Sequence, residues 1–234
     1  ETLSIILPIY AFFAAALPVW FLLAPRDYLS SFMKIGVFIA LIIGVFIINP
    51  VIQFPAIIPD FIGGGGPVVA GPVWPFISIT IACGAISGFH AFVGSGTTPK
   101  MLNKWDDIRV VGFGAMLVES LVGVMALIAA TVLHPADYFA INSTPEAFAK
   151  LGMAVVDLPA LSEAIGMDLE GRTGGAVTLA VGMASIFAGV EWFSHLTKYF
   201  YQFVIMFEAV FILTAIDAGT RTARYLIQDF LGNV

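Results

Sequence analysis

The chain carries an unbroken apolar run at positions 35–48, Ile35-Gly36-Val37-Phe38-Ile39-Ala40-Leu41-Ile42-Ile43-Gly44-Val45-Phe46-Ile47-Ile48, which stops at Asn49-Pro50. The run belongs to a longer stretch without charge that extends from Ile35 to Pro59. A helix of about 20 apolar residues spans the hydrocarbon core of a bilayer. The segment from about Phe32 to Ile48 is therefore predicted to be a membrane helix.

Apolar stretches of similar length occur on both sides of this run. Four more lack any charged residue and a last one contains a single acid: Thr2 to Pro25, Phe61 to Pro99, Ser120 to Ala136, Thr173 to Val190 and Tyr199 to Ile216. The stretch at Ser120 continues backwards through Glu119 to Val110. Only helices and closed barrels satisfy the backbone in lipid, and continuous apolar runs are typical of helices. We expect an all-α fold, a polytopic bundle of about six membrane segments that forms a single transmembrane domain over residues 1–234.

The composition excludes several classes of protein. Hydrophobic residues make up 59% and charged residues 11% of the chain, too few charges for the polar surface of a soluble domain. The net charge of −6 argues against a nucleic-acid surface, because phosphate binding needs clustered lysines and arginines. Since Cys83 is the only cysteine, the sequence excludes an internal disulfide and a multi-cysteine metal centre.

Motifs of catalysis and of nucleotide binding are absent from the sequence. It contains no phosphate loop, no zinc-protease helix motif and no Gly-x-Ser-x-Gly elbow. We therefore expect a protein that is not an enzyme and that holds no cofactor and no metal. The chain opens at Glu1 without a methionine, directly before an apolar segment, and we interpret it as part of a longer protein.

The connections between the segments differ in polarity. Residues 49–72 hold so many prolines and glycines that they are predicted to form a loop. Residues 134–173 are polar, with six acids against two bases, and are predicted to be an extracytoplasmic surface loop. If the loop from Lys100 to Arg109 is cytoplasmic, the basic residues follow the positive-inside rule except at Arg221 and Arg224. Either one segment does not fully cross, or these two arginines are tucked into protein.

The most distinctive local pattern is Ser87-Gly88-Phe89-His90-Ala91-Phe92-Val93-Gly94-Ser95-Gly96-Thr97-Thr98-Pro99. Two glycines and a proline at the end of a membrane segment favour an unwound stretch over Gly94–Pro99, whose backbone groups and hydroxyls can coordinate an ion or a polar solute. A helix cap followed by a turn has the same pattern, and both interpretations stay open. The candidates for binding solute or ion are Ser87, His90, Gly94, Ser95, Gly96, Thr97 and Thr98.

His90 lies inside an apolar segment, where an ionisable side chain is costly and therefore indicates function. It can contact a solute, relay a proton or coordinate a metal. The other histidines, His134 and His195, are remote in sequence, which disfavours a metal. A neutral imidazole that is hydrogen-bonded to a neighbouring carbonyl is the structural alternative.

Three acids interrupt the apolar segments, namely Glu119, Glu208 and Asp217. Each is expected to face the bundle or a wet cavity rather than lipid, and each is a candidate for coupling to a proton or another ion. Asp217 and Arg221 are four residues apart, so a local ion pair on a helix explains both without any function. Glu119 and Glu208 have no such neighbour and are the better candidates for a proton or cation site, with a hydrogen bond to another helix as their structural alternative.

Several blocks of the sequence resemble one known family. The runs Pro75-Phe76-Ile77-Ser78-Ile79-Thr80-Ile81-Ala82-Cys83-Gly84-Ala85-Ile86-Ser87-Gly88-Phe89-His90 and Ser95-Gly96-Thr97-Thr98-Pro99-Lys100 are similar to the signature of the carbon starvation protein A family of prokaryotic inner-membrane transporters. Further similar blocks follow in the same order, beginning at Gly112, Met125, Asp137, Phe203 and Asp217. The resemblance covers about Trp74 to Gly232.

This resemblance implies a multi-pass protein of the inner membrane that takes up peptides or small carboxylates such as pyruvate during carbon starvation. Its partners would be that solute, a coupling proton or sodium ion, and membrane lipids, with no nucleic acid. It also implies the inverted-repeat fold of the amino acid, polyamine and organocation transporters, with the region His90–Pro99 as one broken helix. A nutrient sensor or scaffold that binds its ligand without moving it is the alternative, and an intramembrane enzyme comes third.

Overall fold

The computed structural model of the chain describes residues 2–68, 71–189 and 195–232, without the side chains of Asp60, Ile77, Cys83 and Phe89. Within those ranges the secondary structure consists of helices and turns, and no strand occurs. The all-α fold predicted from the continuous apolar runs is therefore confirmed. Val190, the predicted end of the fifth segment, lies outside the described residues.

The helices begin and end as follows. The α-helices are α1 Thr2–Ala16, α2 Leu23–Ile48, α3 Pro59–Ile62, α4 Ser78–Ala85, α5 Gly88–Gly96, α6 Ala115–Thr131, α7 Pro135–Asn142, α8 Pro145–Ala149, α9 Leu158–Ile165, α10 Gly175–Ala188 and α11 Thr197–Gly232. Wider π-helical turns precede α4 at Val73–Ile77 and α6 at Arg109–Gly114, and a 3-10 turn follows α5 at Thr98–Lys100.

Among the residues that the structure describes, three helices are long and apolar enough to cross a membrane, namely Leu23–Ile48, Arg109–Thr131 and Thr197–Gly232. The other three segments predicted from sequence correspond to shorter apolar helices, Thr2–Ala16, Val73–Ala82 and Gly175–Ala188. Helix α11 continues without a break through the tail that the sequence analysis separated from its last span. Its 36 residues extend about 54 Å, more than the hydrocarbon core of about 30 Å requires.

The described chain forms two compact units. Unit 1 comprises residues 1–35, 81–116 and 209–234, and unit 2 comprises residues 36–80 and 117–208. Helices α2 and α11 contribute residues to both units. The single transmembrane domain expected from the sequence stays a prediction.

Unit 2 has its core around α10, where Ala180, Val181, Met183, Ala184 and Ile186 are buried. Gly182 lies against the backbone of α6, since a Cβ added there would come within 2.7 Å of the Ala129 carbonyl carbon. That distance leaves no room for a side chain, so glycine permits the close approach of α6 and α10.

The polar insertion at 134–173 contains three short helices, α7, α8 and α9. Each has a proline in its first turn, where the missing N–H costs nothing, and α9 ends at Gly166, whose φ is +77°. The surface loop predicted here is therefore partly helical, and buried apolar residues of α7 pack the insertion onto α10. The side of the membrane on which it lies stays a prediction.

Asp137 in α7 links α7 to the segment before α9 by hydrogen bonds. Its carboxylate accepts the backbone N–H of Val156 and that of Asp157, one on each oxygen, both at 2.8 Å. The residue is 0% exposed. Two hydrogen bonds to backbone donors satisfy a buried carboxylate and fix the chain that leads into α9.

Both ends of helix α10 contact other helices of unit 2. Near its start, the Thr178 hydroxyl accepts a 2.6 Å hydrogen bond from Asn142 at the end of α7. At its other end, a Cβ on Gly189 would lie 3.0 Å from the side chain of Ile48, the last residue of α2. The 14 residues of α10 extend only about 21 Å, which is shorter than a hydrocarbon core.

Candidate functional site

The segment with the predicted solute-binding residues is a helix with one break. The break lies at Ile86-Ser87, between α4 and α5, where the Ser87 hydroxyl accepts the His90 N–H at 3.4 Å and so caps α5. Serine is favoured at a helix N-cap because its oxygen satisfies one of the free amides of the first turn.

The unwound stretch predicted at Gly94–Pro99 was placed wrongly. Helix α5 continues to Gly96, and Thr97 extends its hydrogen bonding, since the Thr97 amide donates to the Val93 carbonyl at 3.1 Å. The Thr97 hydroxyl donates to the same carbonyl at 3.0 Å. The two glycines are accommodated inside the helix, and Pro99 stands in the 3-10 turn that follows.

The predicted solute-binding residues divide between two faces of α5. His90, Gly94 and Ser95 are exposed, whereas Thr97 is buried and Thr98 is half-buried. Residues 87, 90 and 94 are spaced by three and four, so they follow one another along one side of a helix. This side, which we call the His90 face, is defined by Ser87, His90 and Gly94.

Gly96 belongs to the opposite side and lies against α11. A Cβ added at Gly96 would come within 2.7 Å of the Thr222 hydroxyl oxygen and still closer to its methyl group. The Thr222 hydroxyl donates to the Ala218 carbonyl at 2.8 Å, which holds the side chain in place. Gly96 is therefore needed for packing between α5 and α11, a role that the sequence pattern did not indicate.

The three acids proposed for ion coupling have different surroundings. Glu119 is exposed on α6, and Glu208 is half-buried on α11. Neither carboxylate has a hydrogen bond or ion pair to another residue that the structure describes. Asp217 is 0% exposed. Burial of an ionisable group in an apolar helix singles out Asp217 among the three.

Asp217 joins three helices of unit 1. Its Oδ2 accepts the Tyr10 hydroxyl of α1 at 2.9 Å and lies 2.5 Å from the Arg26 guanidinium of α2. Arg26 also donates to the Tyr10 oxygen at 2.6 Å, which closes a triangle of contacts. We call Tyr10, Arg26 and Asp217 the buried triad. The second carboxylate oxygen of Asp217, Oδ1, is buried and has no hydrogen-bond partner among the described atoms.

Arg26 is shared between two carboxylates. Its other terminal nitrogen donates to Asp27 at 3.2 Å and to the Thr214 hydroxyl at 3.0 Å. The Asp27 side chain is 32% exposed, whereas that of Asp217 is 0% exposed. The guanidinium therefore keeps one anionic partner if the other becomes neutral.

The local ion pair predicted between Asp217 and Arg221 was wrong. Arg221 is 1% exposed and donates to the Leu17 carbonyl at 2.6 Å and to the Ala14 carbonyl. Arg224 donates to the next carbonyls along, those of Ala15 at 2.5 Å and Ala16 at 3.1 Å. The last carbonyls of a helix have no partner within it, and positive charge is favoured there. Both arginines consequently cap the C-terminal end of α1.

Sequence reasoning missed Tyr10 and Arg26 as partners of Asp217. Each is far from Asp217 in sequence; Tyr10 is separated from it by 207 positions. A basic residue next to a membrane segment is expected at the membrane surface, so Arg26 gave no signal of an interior contact. Metal ligation finds no support either, because the described residues contain no cluster of three or more His, Cys, Asp or Glu side chains.

Comparisons with known proteins agree with this membrane architecture. A peptide transporter CstA of Bacillus subtilis is 80% identical over 234 residues, and a peptide transporter CstA of Helicobacter pylori is 50% identical over 242 residues. A pyruvate/proton symporter BtsT of Escherichia coli is 43% identical over 263 residues. The alignments cover 100%, 96% and 96% of this chain, respectively. No solved structure matches the chain.

The chain is much shorter than these relatives. It spans 39% of the Bacillus protein, 35% of the Helicobacter protein and 36% of the Escherichia protein. The family description "Carbon starvation protein CstA" matches residues 1–234, the full extent of the sequence. Apolar helices long enough to cross a membrane and bacterial transporter relatives are the features of a prokaryotic membrane protein. The chain belongs to the carbon starvation protein CstA family.

Proposed function

We propose that the chain is part of a secondary transporter that takes up peptides or small carboxylates such as pyruvate, driven by an ion gradient. Its setting is the inner membrane of a prokaryote under carbon starvation, with lipids around a multi-pass bundle. The names of the relatives, peptide transporter and pyruvate/proton symporter, support this proposal. The inverted-repeat fold of the amino acid, polyamine and organocation transporters belongs to the same proposal.

The observation that carries the proposal is the buried triad. A carboxylate that is completely buried among membrane helices costs free energy, and such groups mark ion and proton pathways. Asp217 contacts side chains from α1 and α2, so a change of its charge alters contacts among three helices at once. Coupling needs this property, because ion binding must favour one arrangement of the helices over another.

A proton suits this site better than sodium. Protonation needs only the free Oδ1 of Asp217, and Arg26 would retain Asp27 as its anionic partner. A sodium ion would need several oxygen ligands beside a guanidinium 2.5 Å from the same carboxylate, where like charges repel. Glu119 and Glu208 are the further candidates for the coupling charge.

The His90 face is proposed as the surface that contacts solute. The helix break at Ile86-Ser87 resembles the discontinuous helices on which transporters of this kind bind their solutes. Ser87, His90, Gly94, Ser95 and Thr98 would supply backbone and side-chain contacts from that side. Gly96 and Thr97 would act indirectly, by fixing the packing of α5.

A membrane topology follows from the contacts within each unit. Lys100 lies over the ring of Tyr225, and Arg221 and Arg224 cap α1, so these basic residues share one end of unit 1. We infer that α10 does not cross, because Gly182 at its middle lies against Ala129 near the C-terminal end of α6, and Gly189 after its last turn lies against Ile48 at the C-terminal end of α2. The orientation that then follows the positive-inside rule puts seven basic residues in the cytoplasm, Arg26, Lys34, Lys100, Lys104, Arg109, Arg221 and Arg224, and three outside, Lys150, Arg172 and Lys198.

Uptake by the complete protein in proteoliposomes tests the proposal. Labelled dialanine and labelled pyruvate are supplied outside, with an imposed proton gradient, an imposed sodium gradient or none. We expect accumulation above the outside concentration only with the proton gradient. A nutrient sensor would bind the solute without accumulating it, and an enzyme would return it chemically changed; either result contradicts the proposal.

A further inference from the structure

A cavity of about 380 Å³ lies within unit 2, between the insertion and α10, remote in sequence from the His90 face. Its polar lining consists of Gln53, His134, Asp137, Asp157, Ser185 and Thr197, and valine, leucine and alanine side chains form the rest. We call it the insertion pocket. Its volume falls within the range of small-molecule sites, which combine an apolar wall with a few polar groups that orient the ligand.

The insertion pocket has one carboxylate available for a ligand. Both carboxylate oxygens of Asp137 accept a backbone N–H, one from Val156 and one from Asp157, and these hydrogen bonds fix the backbone of Asp157. The Asp157 side chain itself does not cap α9 and is exposed. It makes no hydrogen bond or ion pair with any residue that the structure describes. Asp137 therefore positions an acceptor that has no partner of its own.

His134 supplies a donor in the same pocket. Its Nδ1 accepts the Ala136 N–H at 3.3 Å, so in the neutral ring the proton sits on Nε2. That N–H can donate to a carbonyl oxygen. Ser185 donates its hydroxyl proton to the Val181 carbonyl at 2.8 Å, which leaves its oxygen free to accept. The lining thus offers acceptors for an ammonium group and a donor for the neighbouring carbonyl.

The charge around the pocket selects the sign of the ligand. Five of the six acids of the insertion, all except the buried Asp137, are exposed, against Lys150 and Arg172, so its surface attracts cations. A solute with only a carboxylate, such as pyruvate, would approach the Asp157 side chain against like charge. A solute with an amino terminus gains a charge-assisted hydrogen bond at the same place.

We propose that the insertion pocket binds the amino-terminal end of a short peptide. The ammonium group pairs with the Asp157 carboxylate, the first peptide carbonyl accepts from His134 Nε2, and the first side chain packs on the alanines and leucines of the wall. This inference rests on the proposed function and narrows its solute class from peptides or carboxylates to peptides. It requires no gradient and no movement of the helices.

Equilibrium binding to the complete protein in lipid nanodiscs tests the pocket apart from transport. The probe is labelled dialanine, and the competitors are unlabelled dialanine, N-acetyl-dialanine, which lacks the ammonium charge, and pyruvate. For Asp157→Asn we expect binding weaker by about tenfold or more, because a hydrogen bond between charged groups is lost. N-acetyl-dialanine is expected to compete poorly with labelled dialanine for the parent protein, and equally poorly for the variant.

Glu163→Gln is the matched control, since Glu163 is exposed on the same helix, carries the same charge and does not line the pocket. Its affinity for dialanine is expected to change less than about twofold. The proposal is overturned if Asp157→Asn binds dialanine like the parent, if pyruvate or the acetylated peptide competes as well as dialanine, or if the parent binds no dialanine. A parent that binds dialanine at Asp157 but never accumulates it would overturn the transport proposal and leave the pocket standing.

Discussion

Asp137 and Asp217 are both 0% exposed, yet their carboxylates are satisfied in different ways. Asp137 receives one backbone N–H on each oxygen, from Val156 and Asp157. Asp217 receives side-chain donors from Tyr10 and Arg26 on Oδ2 alone, and Oδ1 has no described partner. Burial by itself therefore does not distinguish an acid that holds the fold from an acid that is proposed to exchange a proton.

The two carboxylates differ in the kind of group that contacts them, backbone N–H groups at Asp137 and side chains at Asp217. Backbone N–H groups are fixed by the chain, so the charge of Asp137 cannot change without breaking the link between α7 and α9. The partners of Asp217 are side chains, which can change rotamer, and Arg26 has Asp27 as a second partner. A proton on Asp217 thus rearranges contacts without leaving a cation unpaired, whereas a proton on Asp137 would face two N–H donors.

The largest effect is expected for Asp217→Asn in the complete protein. Asparagine keeps the shape and accepts from Tyr10 and Arg26, but it cannot gain or lose a proton. We expect the variant to exchange solute across the membrane at equal concentrations and to lose all uphill accumulation. Counterflow and gradient-driven uptake in proteoliposomes measure the two activities separately.

Glu208→Gln and Glu119→Gln are compared in the same measurement, because Glu119 and Glu208 are the further candidates for the coupling charge. Both remove a titratable acid from an apolar helix without touching the buried triad, and both are expected to accumulate solute to a larger extent than Asp217→Asn. Full accumulation by Asp217→Asn would remove Asp217 from the coupling mechanism and would make it a second structural acid like Asp137.

A smaller effect, on stability, is expected for Asp137→Asn. The asparagine NH2 would face one of the two backbone N–H groups, donor against donor, which we expect to lower the free energy of unfolding by about 2 to 4 kcal/mol. In Asp217→Asn the NH2 takes the place of the unpartnered Oδ1, so its loss is expected to be less than half as large. Thermal unfolding of both variants in detergent measures the two losses. Equal losses would show that the donors of Asp137 and Asp217 do not differ in their effect on stability.

The next effect concerns the helix that carries Tyr10. Arg221→Ala removes two hydrogen bonds from a side chain that is 1% exposed, and Arg224→Ala removes two from a partly exposed one. We expect losses of about 2 to 3 kcal/mol and about 1 kcal/mol, respectively, because Arg221 bonds to the buried Ala14, where no water replaces the donor, whereas Arg224 also bonds to Ala16, which is exposed. Thermal midpoints in the reverse order would show that the arginines act by surface charge and not as caps.

The smallest effect is expected for Tyr10→Phe. Two hydrogen bonds are lost, the one from Tyr10 to Asp217 and the one from Arg26 to the Tyr10 oxygen, while the ion pair of Arg26 and Asp217 remains, so we expect steady-state accumulation to fall only about two- to fivefold. The same proteoliposome uptake measures it. Accumulation as low as in Asp217→Asn would mean that the hydroxyl carries the proton, and unchanged accumulation would reduce the triad to the pair of Arg26 and Asp217.

The sequence predicted the features that depend on local pattern. The apolar run at 35–48 lies within α2, and Glu119, Glu208 and Asp217 lie in helices, because periodicity and chain composition determine helix formation in lipid. The family blocks from Pro75 to Lys100 identified the family correctly.

The features missed from the sequence depend on contacts between distant segments. Asp217 was paired with Arg221 because four positions separate them, but Arg221 points to the carbonyls of α1 and leaves Asp217 to Arg26. Gly96 was read as a sign of unwinding, whereas the side chain of Thr222 requires the absence of a Cβ there. Residues 134–173 were predicted to be a surface loop, and their three short helices were missed because the acids concealed the apolar pattern of α7.

The caps on α1 have a consequence for biogenesis. The arginines that satisfy its last carbonyls follow 204 to 209 positions later in the chain. At a translation rate of about 5 to 20 residues per second, that interval lasts about 10 to 40 s. During it, the end of α1 must remain at the aqueous face of the insertion machinery, because hydrocarbon offers its carbonyls no donor. The C-terminal end of α1 can therefore pack in its final position only after α11 has been synthesised and inserted.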